Sequence, residues 1–203
     1  MILKVPKYFL EDIVAPACNN DKAIIQAFAD IPRILFVDEA MKTKAYEDKA
    51  LPIGMGQTIS QVTTVANMLY MLELKKEDTV LEIGSGSGFV TALLSRLVHH
   101  VYAVELLPKL MAKARTTIKS LRIINVSMKS DDGGKGWQEY APYDKIIASA
   151  GATKLPQSLV EQLKEGGILV LPLNNHLMKY KKENGKLIEE KGVSCSFVDF
   201  VGS

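Results

Sequence analysis

Residues 79–105 constrain the fold more tightly than any other stretch of the chain. Thr79-Val80-Leu81-Glu82-Ile83 is a short apolar run of the kind that forms a buried strand. It leads directly into Gly84-Ser85-Gly86-Ser87-Gly88 and then into Phe89–Leu97, which reads as a helix. His100–Glu105 is a second strand-like run, and it ends on an acid. Glycines let a backbone turn tightly and approach a ligand without Cβ collisions. The free amides at the start of the following helix then face whatever occupies the turn. Glu105 lies 21 positions after Gly84 (105 − 84), where a carboxylate can accept both hydroxyls of a ribose. Strand, glycine turn, helix and distal acid together point to a nucleotide-binding unit, with a tight turn beside a solvated glutamate as the plainer reading.

The alternation continues downstream. Pro108 opens a helix reaching about Ser120. Asn125–Lys129 and Tyr143–Ser149 read as strands, Pro156 opens a helix to Leu163 that Gly166-Gly167 ends, and Ile168–Leu171 is a further strand. Repeated βα alternation predicts a parallel sheet covered on both faces. The tail changes character: Leu177–Lys182 and Lys186–Glu190 flank Asn184-Gly185, a hairpin signal, and Ser194–Val201 reads as a last strand. The expected class is therefore α/β, a Rossmann-like fold with a mostly parallel central sheet, helices on both faces and antiparallel strands at the C-terminal end. Upstream, Asn20–Ala29 reads as an amphipathic helix stopped at Ile31-Pro32-Arg33. A loop-like stretch reaches Gly54, and Ser60 can cap a helix running to about Leu72. One domain over 1–203 is expected, with an N-terminal cleft segment (1–75), a cofactor-binding core (76–172) and C-terminal strands (173–203).

Composition narrows the function classes. A length of 203 residues suits one well-buried α/β core. A net charge of +2, from 25 basic and 23 acidic side chains, gives no electrostatic case for nucleic acid. Lys179, Lys181 and Lys182 cluster locally and read as a solvated hairpin end. Cys18 and Cys195 lack metal-ligand spacing, and a disulfide framework is not expected, so a reducing, cytoplasmic compartment is. No signal-like segment or apolar run of membrane-spanning length is read from the sequence. His99, His100 and His176 lie away from the motifs, which argues against metal or triad chemistry; no metal ligand set is expected.

A dinucleotide-binding dehydrogenase favours G-x-G-x-x-G. This chain instead has Gly84-Ser85-Gly86-Ser87-Gly88 with Glu82 two places ahead. That arrangement resembles the first motif of class I S-adenosylmethionine-dependent methyltransferases. Further segments sharpen the likeness: Leu51-Pro52-Ile53-Gly54, Gly56-Gln57-Thr58-Ile59-Ser60-Gln61, Asp132-Gly133 with Gly136-Trp137, and Ala141-Pro142-Tyr143-Asp144. Upstream, Ile31-Pro32-Arg33, Phe36-Val37, Ala45-Tyr46 and Asp48 match in order and spacing, and downstream Pro156, Gln162-Leu163 and Gly166-Gly167 also fit. Together they resemble the protein-L-isoaspartate O-methyltransferase family over about residues 20–172, and Gly56–Ser60 is the most specific segment.

The resemblance implies a reaction and roles. S-adenosyl-L-methionine would donate a methyl group to the free carboxylate of L-isoaspartyl residues in damaged proteins and peptides, leaving S-adenosyl-L-homocysteine. Ser60 matches the active-site serine. Gly84, Ser85 and Gly86 match the cofactor loop, Glu105 the ribose ligand, and Asp132 and Gly133 the pair beside adenine. Gln57, Thr58 and Ile59 match the segment covering the cofactor. Glu82 is an anchor for the turn amides or for the methionine amino group, or an ordinary strand-end glutamate. A monomer is expected, with no nucleic-acid or membrane partner. The chain departs from the family pattern at Val62-Thr63-Thr64, Asp131 and Leu173–His176, which face substrate or adenine. A methyltransferase for another substrate, or a cofactor-binding homologue without activity, are the alternatives.

Overall fold

The computed structural model describes residues 4–195 and Phe197. Its core is a seven-stranded sheet in the order β5-β4-β3-β6-β7-β8-β9. The strands are β3 (Thr79–Ile83), β4 (His100–Glu105), β5 (Val126–Ser130), β6 (Tyr143–Ala148), β7 (Leu163–Leu173), β8 (His176–Glu183) and β9 (Lys186–Ser194). A separate hairpin joins β1 (Leu51–Gly54) to β2 (Gln57–Ile59). β3 pairs in parallel with both β4 and β6, and β4–β5 and β6–β7 are also parallel. β7–β8 and β8–β9 are antiparallel, giving the expected switch at the C-terminal end. Strand order reverses at β3, so the crevice beyond the carboxyl ends of β3 and β6 is where such sheets bind ligands.

The helices are α1 (Ala15–Ala17), α2 (Lys22–Asp30), α3 (Val62–Met71), α4 (Phe89–Leu97), α5 (Pro108–Ser120) and α6 (Gln157–Glu161). The strand β3 divides its side chains between two cores. Val80 packs into one, with α3, α4 and Phe28, Phe36 and Phe89; Leu81 and Ile83 pack into the other, with Tyr143, Ile146 and Leu159 of α6. Burial on both faces explains why β3 reads as a continuous apolar run. Each such side chain contributes about 1.5–3 kcal/mol when fully buried. The second face carries less helix. There Tyr102 packs against Trp137, Tyr140 and Tyr143, with the Tyr102 and Tyr140 rings stacked at 4.3 Å.

Several expectations need correction. Ser60 does not cap α3: its N-cap is Gln61, with no cap from that side chain. The orphan amide of Thr63 instead donates to Oδ1 of Asp48 at 2.9 Å, so a carboxylate far back in the chain performs the capping. The stretch expected to be loop holds two 3₁₀ turns, Arg33–Phe36 and Glu39–Lys44, and β1, which pairs with β2 just beyond it. The segment before α2 contains a π-helical turn, Phe9–Val14, that runs into α1. The helix opened by Pro156 ends at Glu161, and β7 begins at Leu163, passing through Gly166 at φ +76° rather than starting after it. The lysine cluster is engaged rather than merely solvated: Lys179 pairs with Glu73 and Glu190, and Lys182 donates to the carbonyls of Val160 and Leu163. Of the last strand expected over Ser194–Val201, β9 includes only Ser194, and positions 196 and 198–201 lie outside the described residues. Among the described residues, no helix is long and apolar enough to cross a membrane.

Candidate active site

Three adjoining cavities open at the carboxyl ends of β3 and β6. The first is bounded by Gly84 and Gly86 after β3, Glu105 at the end of β4, Gly133 after β5, and Gln57 and Thr58 of β2. The second lies outward, walled by Ser60, Gln61 and Thr64 on one side and by Ser194, Cys195 and Phe197 on the other. The third is a small recess between them, reaching Glu82 and Ser85. Thr58 and Ser149 line all three. Their shared walls make one path from the glycine turn to Ser60.

The glycine turn is held by the neighbouring strand. The amides of Gly84 and Ser85 donate to the Val104 carbonyl at 2.8 and 3.3 Å. Gly86 sits at φ +52°, and its amide donates to Oε2 of Glu105 at 2.8 Å; the Leu107 amide donates to Oε1 at 3.0 Å. One carboxylate thus ties the turn to the end of β4. Each oxygen retains a lone pair, since a carboxylate oxygen accepts more than one hydrogen bond. Glu105 is nearly buried yet lines the first cavity. Gly133 is required by space: a Cβ there would collide with the Ile83 side chain.

Glu82 is wholly buried on the core face of β3. Its Oε2 accepts from the Thr91 hydroxyl of α4 at 2.5 Å, while Oε1 has no partner. Burial pushes its carboxyl up to about 8, against the pull of the Thr91 hydrogen bond and with a further push from Glu105. The turn amides go to Glu105 and Val104, so Glu82 does not anchor them, correcting that half of its expected role. Ser85 Oγ, also buried, is likewise unpartnered. Two buried polar atoms without partners beside one recess are a built feature, because such atoms cost about 1–3 kcal/mol each when unsatisfied.

Ser60 is positioned through its backbone. Arg33, fully buried, donates through Nη2 to the Ser60 carbonyl at 3.0 Å and the Lys49 carbonyl at 2.9 Å, and through Nη1 to Ala45 at 2.7 Å. Burial holds its guanidinium down at about 10, with Asp48 opposing the shift. Arg33 and Asp48 therefore clasp both ends of the β1–β2 hairpin, whose strands supply Ile53, Gln57 and Thr58 to the first cavity.

The expected site residues are spread over the three cavities, several of them shared. Gln57, Thr58, Gly84, Gly86, Glu105 and Gly133 line the first cavity; Ser60, Ile59, Glu82 and Ser85 line the recess; Ser60 also faces the outer cavity. Asp132 is not among the lining residues; its side chain accepts from the Gly134 amide at 2.8 Å and caps a short turn. The unusual Asp131 is also turned aside, bonded to Lys129 at 2.8 Å, which together with the Asp132 amide holds its carboxyl below the ordinary range. Asn174 and Asn175 form the β7–β8 turn at φ 49° and 63° and line a neighbouring cavity with Cys195 and Phe197, whereas His176 starts β8.

Residues 7–203 match the family described as Protein-L-isoaspartate(D-aspartate) O-methyltransferase (PCMT). The chain belongs to this family. A Geobacter metallireducens protein-L-isoaspartate O-methyltransferase is 46% identical over 188 residues, covering 90% of this chain and 87% of the relative. One from Desulfotalea psychrophila is 44% identical, covering 97% and 93%. A solved protein-L-isoaspartate O-methyltransferase superimposes with a TM-score of 0.85 at 29% identity, over 94% of this chain and 65% of that longer one. A Plasmodium falciparum structure, a PCMT candidate in complex with S-adenosyl-L-homocysteine, shares the fold with a TM-score of 0.83 at 24% identity, over 96% and 97%. Within this PCMT framework, sequence reasoning missed Ser149 and Ile53 as wall residues, whereas Thr64 lies in the segment expected to face substrate or adenine and lines the outer cavity. Ser149 follows β6 directly, so its place beside Gly84 follows from strand order, which no local pattern reveals.

Proposed function

We propose that this chain transfers a methyl group from S-adenosyl-L-methionine to the free carboxylate of L-isoaspartyl residues in proteins and peptides. The observation that carries the reading is the path past Thr58 and Ser149, which joins a glycine-and-acid cavity to an outer cavity holding Ser60. The donor set suits the cofactor. Glu105 has acceptor capacity for ribose hydroxyls, Gly133 and Ile83 offer an apolar wall for adenine, and Gln57 and Thr58 cover the cavity. The unpartnered Glu82 Oε1 can accept from the methionine ammonium, and the Ser85 hydroxyl can bond its carboxylate. When bound, S-adenosyl-L-methionine supplies an electrophilic sulfonium methyl group.

The substrate carboxylate is ionised at neutral pH, since its reference value is near 4. No general base is needed. Ser60 donates a hydrogen bond to one carboxylate oxygen and so aims the other along the path toward the methyl. Among the described residues, the outer cavity is lined by no charged side chain, so no cation there damps the nucleophilicity of the anion. Orientation then supplies the rate. The enzyme acts as a cytoplasmic monomer; two free cysteines, one buried and one half-buried, suit a reducing compartment. Labelled methyl transfer to matched isoaspartyl and aspartyl peptides tests the reading. Transfer to the isoaspartyl peptide alone is expected; equal or absent transfer to both would overturn it.

A further inference from the structure

Five threonines sit in the α-helices, and four use their hydroxyls within the protein. Thr63 donates to Asp48 at 3.0 Å, Thr91 to Glu82 at 2.5 Å, Thr116 to the Ala112 carbonyl at 3.0 Å and Thr117 to the Lys113 carbonyl at 3.3 Å. Thr64 is the exception: its hydroxyl has no hydrogen-bond partner among the described residues, not even the Ser60 carbonyl one turn back. That carbonyl accepts from Arg33 Nη2 at 3.0 Å instead. Thr64 lines the outer cavity with Ser60, and Thr63 does not. The difference between two adjacent threonines follows from the helix. Residues one apart point about 100° apart, so when Asp48 caps the helix through Thr63, Thr64 turns into the cavity.

We propose that Thr64 is a second hydroxyl that holds the substrate carboxylate, working with Ser60 on the same non-reacting oxygen. This rests on the isoaspartyl reading of the site. A carboxylate oxygen has two lone pairs, so both hydroxyls can donate to it. One donor leaves the carboxylate free to swing about that contact; two from different elements, the β2–α3 connection and the first turn of α3, fix its plane. The second oxygen is then left bare toward Thr58 and Ser149, where the path to the first cavity begins. A hydroxyl pair also suits a small anion better than the apolar lining of a cavity meant for a neutral acceptor. Thr64 is a substrate-holding and specificity-determining residue, and Thr63 a structural one.

The test uses the full chain with Thr64→Val, which keeps the shape and removes the donor, and Thr64→Ser, which keeps the donor and removes the methyl. Steady-state methyl transfer to an isoaspartyl peptide is measured beside S-adenosylhomocysteine affinity and thermal unfolding. In the valine protein kcat/KM is expected to fall at least tenfold, while cofactor affinity stays within about twofold and Tm is unchanged. The serine protein is expected to recover kcat/KM to within about threefold of wild type. A valine protein with wild-type kcat/KM overturns the proposal, and so does a serine protein as impaired as the valine one, because packing would then be the cause. Wild type inactive toward the peptide would overturn the isoaspartyl reading together with this one, whereas active wild type with an indifferent valine variant removes Thr64 alone.

Discussion

The inner and outer cavities are built in opposite ways. The inner one is framed by the ends of adjacent parallel strands, and its parts are locked to one another: Gly84 and Ser85 to Val104, Gly86 and Leu107 to Glu105. The outer one is assembled from separate pieces of chain: the Ser60–Thr64 segment, held by the Arg33 and Asp48 clasp, and the end of β9 with Phe197, where Ser194 and Cys195 bond to the Asn175 carbonyl. A rigid frame suits one invariant cofactor. A cavity made of joined segments suits a carboxylate presented by many different polypeptides, since its walls can vary without disturbing the frame.

The comparison breaks if damage crosses from one cavity to the other. The largest effect is expected from Ser60→Ala. Methyl transfer should fall about a hundredfold, because misplacement of a reacting group costs that much. S-adenosylhomocysteine affinity should hold within about twofold. Stability should change by less than about 0.5 kcal/mol, as Asp48 rather than Ser60 caps α3. A loss near 1 kcal/mol, the ordinary cost of a missing cap, would return Ser60 to a structural role.

Glu105→Gln comes next, on the inner side. The glutamine nitrogen cannot accept the amide of Gly86 or Leu107, and the remaining oxygen loses its charge. A charge-assisted hydrogen bond of about 1.5 kcal/mol is lost, which is about a tenfold drop in cofactor affinity. Calorimetry with S-adenosylhomocysteine measures it. The KM for peptide at saturating cofactor should not move; a shift there would couple the cavities.

How far the sequence anticipated these two regions follows from how each is built. β3, α4, β4 and α5 have the bounds expected from pattern alone, Thr79–Ile83, Phe89–Leu97, His100–Glu105 and Pro108–Ser120. There, apolar runs, a glycine turn and a helix-opening proline coincide with the elements, so local signals and fold agree. The β1–β2 hairpin was not visible because its strands are four and three residues long, one carries Pro52, and a register irregularity joins them. The pattern points to the nearest hydroxyl, Ser60, as the cap of α3, whereas the carboxylate that satisfies it lies fifteen residues before Thr63. Thr64 and Cys195 meet across the outer cavity although 131 positions separate them (195 − 64). Glu105 was legible from its spacing after the glycine turn, resemblance to the family supplied the catalytic reading of Ser60, and Ser149 needed strand order.

The smallest effect concerns Glu82. Its folded carboxyl is raised to about 8 by burial, against an ordinary 4.5. A raised carboxyl stabilises the folded state fully below the ordinary value, and that contribution is lost as pH climbs from about 4.5 through about 8. The free protein should therefore lose thermal stability over that window, and Glu82→Gln should flatten this part of the Tm profile. Ligand should act oppositely. If the ammonium of S-adenosylhomocysteine seats on Glu82, binding at pH 7 releases a proton, detectable by calorimetry in buffers of different ionisation enthalpy. No release would move the ammonium elsewhere in the recess.

The most direct measurement is a crystal structure of the chain with S-adenosylhomocysteine and an isoaspartyl peptide together. The ribose is expected at Glu105 and the thioether sulfur beside Thr58 and Ser149. The free carboxylate of the peptide is expected on Ser60, with one oxygen facing that sulfur. A peptide carboxylate seated away from Ser60, or a sulfur turned from the path that Thr58 and Ser149 line, would contradict the joining of the two cavities into one active site.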